Sequence, residues 1–259
     1  MSTRSYIIVG ILLVGAAIAF VVTGPGKKAD GAEGSDPSAG PGGRATAPAK
    51  SAVNGQGKAR TRGSAFSSVE EAEQALLNAD MSFIRTRDQE DIRRGFYRLR
   101  ALAGRIPEEY YSELTARFGE CADKNIERHF TQMAIYQVWG RSDVDAALAD
   151  VSGINDYRRH LKAVHSVFVG AADEDVEAAM RMAETRDIKS PGEFGDRQRI
   201  DLMDTIYDLW IESDPSNAIQ WAQQAEVPDK RREQWINDGL RAWKEIDPAA
   251  AERWRKAQE

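Results

Sequence analysis

A recurring pattern in the second half of the chain constrains the fold more than any other feature. The pattern is Trp-x3-Asp-Pro/Val-x2-Ala, and its tryptophan stands at Trp139, Trp210 and Trp243. A weaker copy keeps the aspartate and the alanine but lacks the tryptophan. The aspartates of the four copies lie 32, 39 and 33 residues apart; they are Asp143, Asp175, Asp214 and Asp247. A period in this range is typical of stacked helix pairs.

Each position of the pattern has a physical role in a pair of helices. The tryptophan ends a first helix and packs its ring against a second one. Aspartate is a favoured N-cap, because its carboxylate accepts hydrogen bonds from the free amides of the next helix and suits the helix dipole. Proline directly after the cap loses no needed hydrogen bond, and the small alanine lets two helices approach closely. Each copy therefore predicts a helix, a tight turn and a second helix.

The pattern resembles the tetratricopeptide-like superfamily of helical repeats, most closely over Asp214-Pro-Ser-Asn-Ala218-Ile-Gln-Trp221. The resemblance covers about residues 122–259, although the Leu-Gly and second-tyrosine positions of that repeat are not reproduced. Similar Trp-x3-Asp-Pro-x2-Ala repeats occur in bacterial helical proteins. The resemblance implies stacked antiparallel helix pairs, an α-solenoid, whose superhelix binds a partner protein.

Helix signals also run through residues 65–121. Ser68-Val-Glu-Glu71 predicts a capping box at the start of a helix. Asp88 precedes an amphipathic stripe made of Ile92, Phe96, Leu99 and Leu102. Pro107 predicts the first turn of another helix. Alternating, strand-like segments are absent from the sequence, so the predicted fold class is all-α.

An uncharged segment at the N-terminus, residues 5–26 with an apolar centre at 6–22, predicts one transmembrane helix. We assign residues 1–23 to this anchor. A cleaved signal peptide is the alternative, with Ala17-Ile-Ala19 as the cleavage site, but apolar residues continue through Val22. The short N-terminal tail favours export of the C-terminal domain to the periplasm, although the basic residues on the two flanks are nearly balanced.

Residues 24–64 are predicted to be a disordered linker, because 26 of these 41 residues are Gly, Ala, Pro or Ser and none is aromatic. As a flexible coil, the linker would span roughly 35 Å. Residues 65–259 form the predicted helical-repeat domain, which carries 27 Lys/Arg and 38 Asp/Glu, a net charge of −11. This acidic balance argues against nucleic acid as a partner.

The sequence contains no standard catalytic motif, and we predict no cofactor and no metal site. His160 and His165 are five residues apart and so do not share one helical face, and the lone Cys121 has no visible base partner. Paired carboxylates at 70–71, 108–109 and 173–175 stand beside predicted helix starts, where negative charge is stabilising. We therefore predict a protein that is not an enzyme; an enzyme acting on envelope polymers is the alternative.

Two features are candidates for contact with a partner. Trp235 fits no repeat position, unlike the other five tryptophans, and is the best single candidate for an exposed anchor. Residues 187–195, which include Phe194, lengthen one repeat to 39 residues, and insertions in repeats often lie on the binding face; a plain surface loop is the alternative. The sequence thus predicts a membrane-tethered adaptor or scaffold that binds a protein partner.

Overall fold

A computed structural model describes residues 66–120, 122 and 125–258 of this chain. Within these ranges the chain forms eleven α-helices, two short 3₁₀ helices and no strand, which confirms the all-α prediction. None of the helices described is long and apolar enough to cross a membrane. The predicted anchor (1–23) and linker (24–64) lie outside the described residues.

Three helices come first: α1 (Val69–Leu77), α2 (Gln89–Ala103) and α3 (Tyr111–Gly119), with 3₁₀ helices at Ser82–Arg85 and Glu108–Tyr110. Four helix pairs follow, and in each pair a long helix of 17 or 18 residues is joined to a shorter helix of 8 to 11 residues through one aspartate. The pairs are α4 (Ile126–Ser142) with α5 (Val144–Val151), α6 (Tyr157–Glu174) with α7 (Val176–Thr185), α8 (Asp196–Ser213) with α9 (Pro215–Gln224), and α10 (Asp229–Ile246) with α11 (Pro248–Gln258).

The starts of the first helices differ in part from the predictions. The Ser68 hydroxyl accepts the Glu71 amide at 3.2 Å, as a capping box requires. The return bond is shifted by one residue, because the Glu71 carboxylate accepts the amide of Ser67 at 2.8 Å. Asp88 caps α2 as predicted. Pro107 precedes a 3₁₀ helix, so the α-helix predicted from Pro107 begins only at residue 111.

The four aspartates of the repeated pattern share one geometry. Each carboxylate accepts the backbone amide three residues later, at distances of 2.9, 2.9, 3.1 and 2.9 Å in chain order. Each aspartate also donates its own amide to the carbonyl four residues earlier, in the last turn of the preceding helix. One residue therefore caps both helices of a pair, and the predicted helix, turn and helix are present at every copy.

The alanines of the pattern and two of its three tryptophans are packed in the interior. The pattern's alanines are fully buried in all four copies; they are Ala147, Ala179, Ala218 and Ala251. Trp139 and Trp210 are 8% and 4% exposed, whereas Trp243 is half-buried. The Trp210 ring lies 6.1 Å from the ring of Trp221 on the next helix, centre to centre. The predicted core role is confirmed for the first two of these tryptophans.

Helices α4 and α6 cross through two glycines. A methyl group built on Gly170 of α6 would lie 2.7 Å from the carbonyl carbon of Gln137. One built on Gly140 of α4 would lie 2.8 Å from the carbonyl carbon of Val167. Because these neighbours are backbone atoms, they move only if a whole helix moves. Glycine is therefore what lets the two backbones come this close.

The helix pairs pack in chain order. The long helices α4, α6, α8 and α10 each contact the next, and each of α5, α7 and α9 contacts its own long helix and the following one. Helices α2 and α3 also pack on α4. Because α4 is covered on several sides, residues 129–137 are all buried, including the polar side chains of Gln132 and Gln137. Polar side chains of α4 are therefore enclosed among the packed helices.

Candidate functional site

A polar cleft of about 390 Å³ lies between α3, α4, α5 and the start of α6. This size is within the range of ligand pockets, about 300–1,000 Å³. Helix α3 contributes Thr115 and Gly119, and α4 contributes Gln132 and Tyr136. The rest of the wall comes from the turn at 153–155 and from Ala116, Glu120, Asp150, Asp156 and Arg159.

Asp150 is the centre of hydrogen bonding in the cleft. Its carboxylate accepts the hydroxyls of Ser112 and Tyr136, at 2.6 and 2.8 Å. The Thr115 hydroxyl lies 3.0 Å from the same carboxylate and 2.9 Å from the Ser112 carbonyl oxygen, and its one proton is shared between these two acceptors. Burial, and then the negative charge of Asp150, raise the pKa of Tyr136 far above its ordinary value. The phenol therefore stays protonated at neutral pH and acts as a donor to Asp150.

Gln132 lies in the wall of the cleft, with its side-chain oxygen enclosed in the interior. The residue is 2% exposed, and its Nε2 donates to the Thr115 carbonyl at 2.9 Å, which fixes the orientation of the amide. Its Oε1 is buried and has no hydrogen-bond partner among the residues that the structure describes. Leaving a buried acceptor unpaired costs about 1–3 kcal/mol. The Gln132 oxygen is enclosed in the interior, so this cost falls on the stability of the fold.

Gly119 makes room for the polar wall of the cleft. A methyl group on Gly119 would lie 2.7 Å from Nε2 of Gln132 and 2.7 Å from Nη2 of Arg159. Both side chains would have to shift if this position carried any side chain. The glycine thus allows an amide and a guanidinium to lie against the backbone of α3.

None of these cleft residues was singled out from the sequence. They come from four different helices and form no motif, because only packing brings them together. One signal was available in the sequence, since Gln132 is a polar residue within the mainly apolar run Phe130-Thr-Gln-Met133-Ala-Ile135. A polar residue that helix packing buries is a candidate for a specific role.

A second, smaller cleft of about 230 Å³ lies between α5, α6 and residues 186–189. His160 lines this cleft and is fully buried, and its Nδ1 lies 3.1 Å from the Val151 carbonyl oxygen. A proton on Nδ1 donates to that carbonyl, which leaves Nε2 as an acceptor with no partner in the described part of the chain. Burial lowers the pKa of His160, although the Val151 bond opposes this shift. The volume is below the range of ligand pockets.

Residues 187–195 form an irregular segment between α7 and α8 and account for the 39-residue spacing. Phe194 is half-buried and packs against the core, and the Arg199 guanidinium lies 6.0 Å from the centre of its ring. The Tyr157 hydroxyl donates to the Glu193 carbonyl at 2.8 Å, which ties the segment to α6. The role of Phe194 in partner binding stays a prediction.

Trp235, the candidate for an exposed anchor, is buried in the structure. This residue is 3% exposed, and its ring stacks on Tyr207 at 5.3 Å between centres. Its indole N–H donates to Asp204 at 2.7 Å, and the Tyr207 hydroxyl donates to the Trp235 carbonyl at 2.8 Å. Arg231 pairs with the same Asp204 carboxylate at 3.1 Å. Trp235 thus joins α10 to α8, and its indole is not presented to a partner in this conformation.

The other groups considered from the sequence occupy structural positions. Glu70 and Glu71 lie in the first turn of α1, where a negative charge is stabilising. Burial lowers the pKa values of His129 and His165 to about 4, so both are neutral at pH 7. Over the described ranges, no group of three His, Cys, Asp or Glu side chains is placed to hold a metal ion. Cys121 lies outside the described residues.

Comparisons of this chain with protein-family models, with curated proteins and with solved structures give no match.

Proposed function

We propose that this chain is a membrane-tethered helical-repeat protein that binds a protein partner and acts as an adaptor or scaffold rather than as an enzyme. The observation that supports the proposal is the shared geometry of the four aspartate junctions. Four successive long–short helix pairs with one junction geometry, packed in chain order, are what a solenoid of stacked antiparallel helix pairs requires.

A solenoid suits partner binding for a physical reason. Each pair contacts mainly its neighbours, so the array exposes an extended surface made of equivalent helices. The likeness of the Asp214 copy to tetratricopeptide-like repeats points the same way. The net charge of −11 over residues 65–259 favours a basic partner surface over an acidic one.

The membrane tether is proposed from the sequence alone. Residues 1–23 would anchor the chain, and residues 24–64 would hold the helical domain within roughly 35 Å of the bilayer while leaving it free to rotate. We place this domain on the exported, periplasmic side. Deletion of residues 1–26 should move the chain from the membrane fraction to the soluble fraction. A truncated chain that still sediments with membranes would refute the anchor.

The test of the adaptor function is site-specific photo-cross-linking of the full chain in native membranes. A photoreactive amino acid would replace Ile126 on α4 or Ile246 on α10, which are 47% and 60% exposed. Tyr97 on α2, 51% exposed but outside the helix pairs, is the matched control. We expect the same protein to be cross-linked from the two positions on the pairs and not from Tyr97. Cross-linking from Tyr97 alone, or none from any site, would refute partner binding by the pairs.

A further inference from the structure

Helix α2 and its two flanks carry positive charge in a domain that is otherwise acidic. Residues 85–105 contain seven arginines and three acidic residues. From Ile92 to Arg105 there are five arginines and no acidic residue. The rest of residues 65–259 contains 20 basic and 35 acidic residues. Residues 85–105 therefore form a basic segment of net charge +4 within a domain of net charge −11.

The solvent-exposed side of α2 presents two arginines around a tyrosine. Arg94 and Arg98 are one helical turn apart, and their side chains are 64% and 69% exposed. Tyr97 lies between them and is 51% exposed. Arg100 differs, because it is largely buried and pairs with Asp173 of α6. We call Arg94, Tyr97 and Arg98 the basic face of α2.

The ion pairs of these two arginines leave them available to another anion. Arg94 lies 3.5 Å from Glu90 and 3.6 Å from Asp91, and Arg98 lies 3.9 Å from Asp80. Exposed pairs at such distances contribute little to stability and compete poorly with other partners. A guanidinium binds a phosphate group through two parallel hydrogen bonds, which is a stronger contact than these pairs.

The basic face lies on the helix that meets the start of the described domain. Arg105 directly follows α2, and its guanidinium lies 5.6 Å from the centre of the Phe66 ring. The Tyr110 hydroxyl donates to the Ser67 carbonyl at 3.2 Å and holds the same end of the chain. The predicted linker, residues 24–64, therefore joins the domain beside the C-terminal end of α2. A tether at this point raises the effective concentration of α2 at the bilayer.

We propose that α2 docks through its basic face on the anionic phospholipid surface of the membrane that holds the chain. The inference rests on the proposed membrane tether and adds which side of the domain lies on the lipid. Arg94 and Arg98 bind lipid phosphates, and Tyr97 lies among the head groups, where tyrosine is enriched in membrane proteins. The same surface repels the acidic helix pairs, which leaves them facing away from the bilayer toward a basic partner.

The test uses the full chain reconstituted into vesicles, with a photoreactive amino acid in place of Tyr97. One set of vesicles contains phosphatidylcholine alone, and the other contains equal parts of phosphatidylcholine and phosphatidylglycerol. Flotation measures whether the chain is anchored, and the mass of the cross-linked peptide reports lipid adducts. We expect flotation with both vesicles and at least about tenfold more adducts with the anionic ones, since each arginine near an anionic surface favours contact by roughly fivefold.

Matched positions and variants separate the basic face from general effects. A photoreactive group at Ile246 on α10, which is 60% exposed, should give few adducts with either vesicle. The double variant Arg94→Gln/Arg98→Gln should lose most of the gain at Tyr97, as should high salt, which screens exposed charges. The control is Arg181→Gln/Arg241→Gln, which removes two arginines of similar exposure, 62% and 55%, from α7 and α10. This control should leave the adducts unchanged.

The outcomes distinguish docking from the anchor. A chain that floats with both vesicles but gives equal Tyr97 adducts on each would refute docking and leave the anchor standing. Flotation with the anionic vesicles alone would refute the anchor and support docking, and flotation with neither would refute both. An equal loss of adducts in the Arg181→Gln/Arg241→Gln control would show that α2 is not the docking face. A protein adduct at Tyr97 in native membranes, in place of lipid, would assign the face to an acidic protein and overturn the inference.

Discussion

The crossing of α4 and α6 makes a quantitative prediction about Gly170. Replacing Gly170 with alanine adds a methyl group that would lie 2.7 Å from the carbonyl carbon of Gln137 and 3.0 Å from the amide nitrogen of Arg141. Ordinary contacts between carbon atoms are about 3.5–4.0 Å long, so the helices must separate by roughly 1 Å. A gap of that size forfeits a quarter to a half of the dispersion attraction across the contact.

Two effects of this substitution oppose each other. Alanine favours a helix over glycine by about 1 kcal/mol. Overpacking of a core costs about 1–3 kcal/mol, and we expect the upper end here because the obstructing atoms belong to the backbone. Gly170→Ala should therefore lower the free energy of unfolding by about 2 kcal/mol. Gly140→Ala should behave in the same way, since its methyl group would lie 2.8 Å from two backbone atoms of Val167.

Urea unfolding of the full chain in detergent, followed by tryptophan fluorescence, measures this change. Gly104→Ala is the control, because a methyl group there would meet nothing closer than 3.4 Å; this variant should be as stable as the parent or slightly more stable. A Gly170→Ala chain as stable as the Gly104→Ala chain would refute the close backbone crossing. A changed urea dependence without a changed midpoint would instead point to an altered unfolded state.

Three further predictions concern the caps, a buried ring and pH. Asp214→Ala should lower the free energy of unfolding, measured with urea, by about 1 kcal/mol. Asp214→Asn should lower it much less, because asparagine keeps the acceptor oxygen, and equal losses would contradict the capping role of Asp214. Trp210→Ala should cost about 3–5 kcal/mol, since a large ring at 4% exposure is lost, and a loss below that of Asp214→Ala would show that the ring is not in the core. Burial first, then the charges of Lys162 and Arg159, lower the pKa of His129 to about 4 in the folded chain. In the unfolded chain the pKa of His129 is near 6.5, so below that pH the unfolded chain binds more protons than the folded chain. The contribution of neutral His129 to stability is therefore complete above pH 6.5, and up to about 3 kcal/mol of the free energy of unfolding is lost as the pH falls to 4. Melts from pH 7 to 4.5 should therefore show a smaller loss of stability for His129→Gln than for the parent, and an identical loss would contradict the assignment.

The sequence predicted those parts of the fold that depend on neighbouring residues. The bond from the Asp214 carboxylate to the amide of Asn217 spans three residues, so spacing and residue type alone indicate it. The burial of Ala218 follows from the same turn. Pro107 shows the limit of local signals, because a proline at a helix start suits a 3₁₀ turn as well as an α-helix, and packing selects between them.

The parts that were missed depend on contacts between distant residues. From the sequence, Trp235 is a candidate for exposure because it fits no repeat position, yet Asp204 and Tyr207 on α8 supply the partners that bury it. The polar cleft requires α3, α4, α5 and α6 to be in place before Gln132 meets the Thr115 carbonyl, 17 residues away in the chain. A single sequence contains the residue types of such a site but does not show which of them become neighbours in space.

The one-residue junctions also determine where the chain tolerates insertions. Because one aspartate ends the long helix and starts the short one, a residue added there would turn the short helix by about 100° about its axis and carry the buried alanine out of the interior. Between the pairs, no single shared residue sets the rotation of the next helix. Residues 186–195 already form a longer connection than the turn before α6. Lengthening and shortening of the chain should therefore be accepted between pairs and rejected within them, which makes these connections the places to insert a reporter or a tag.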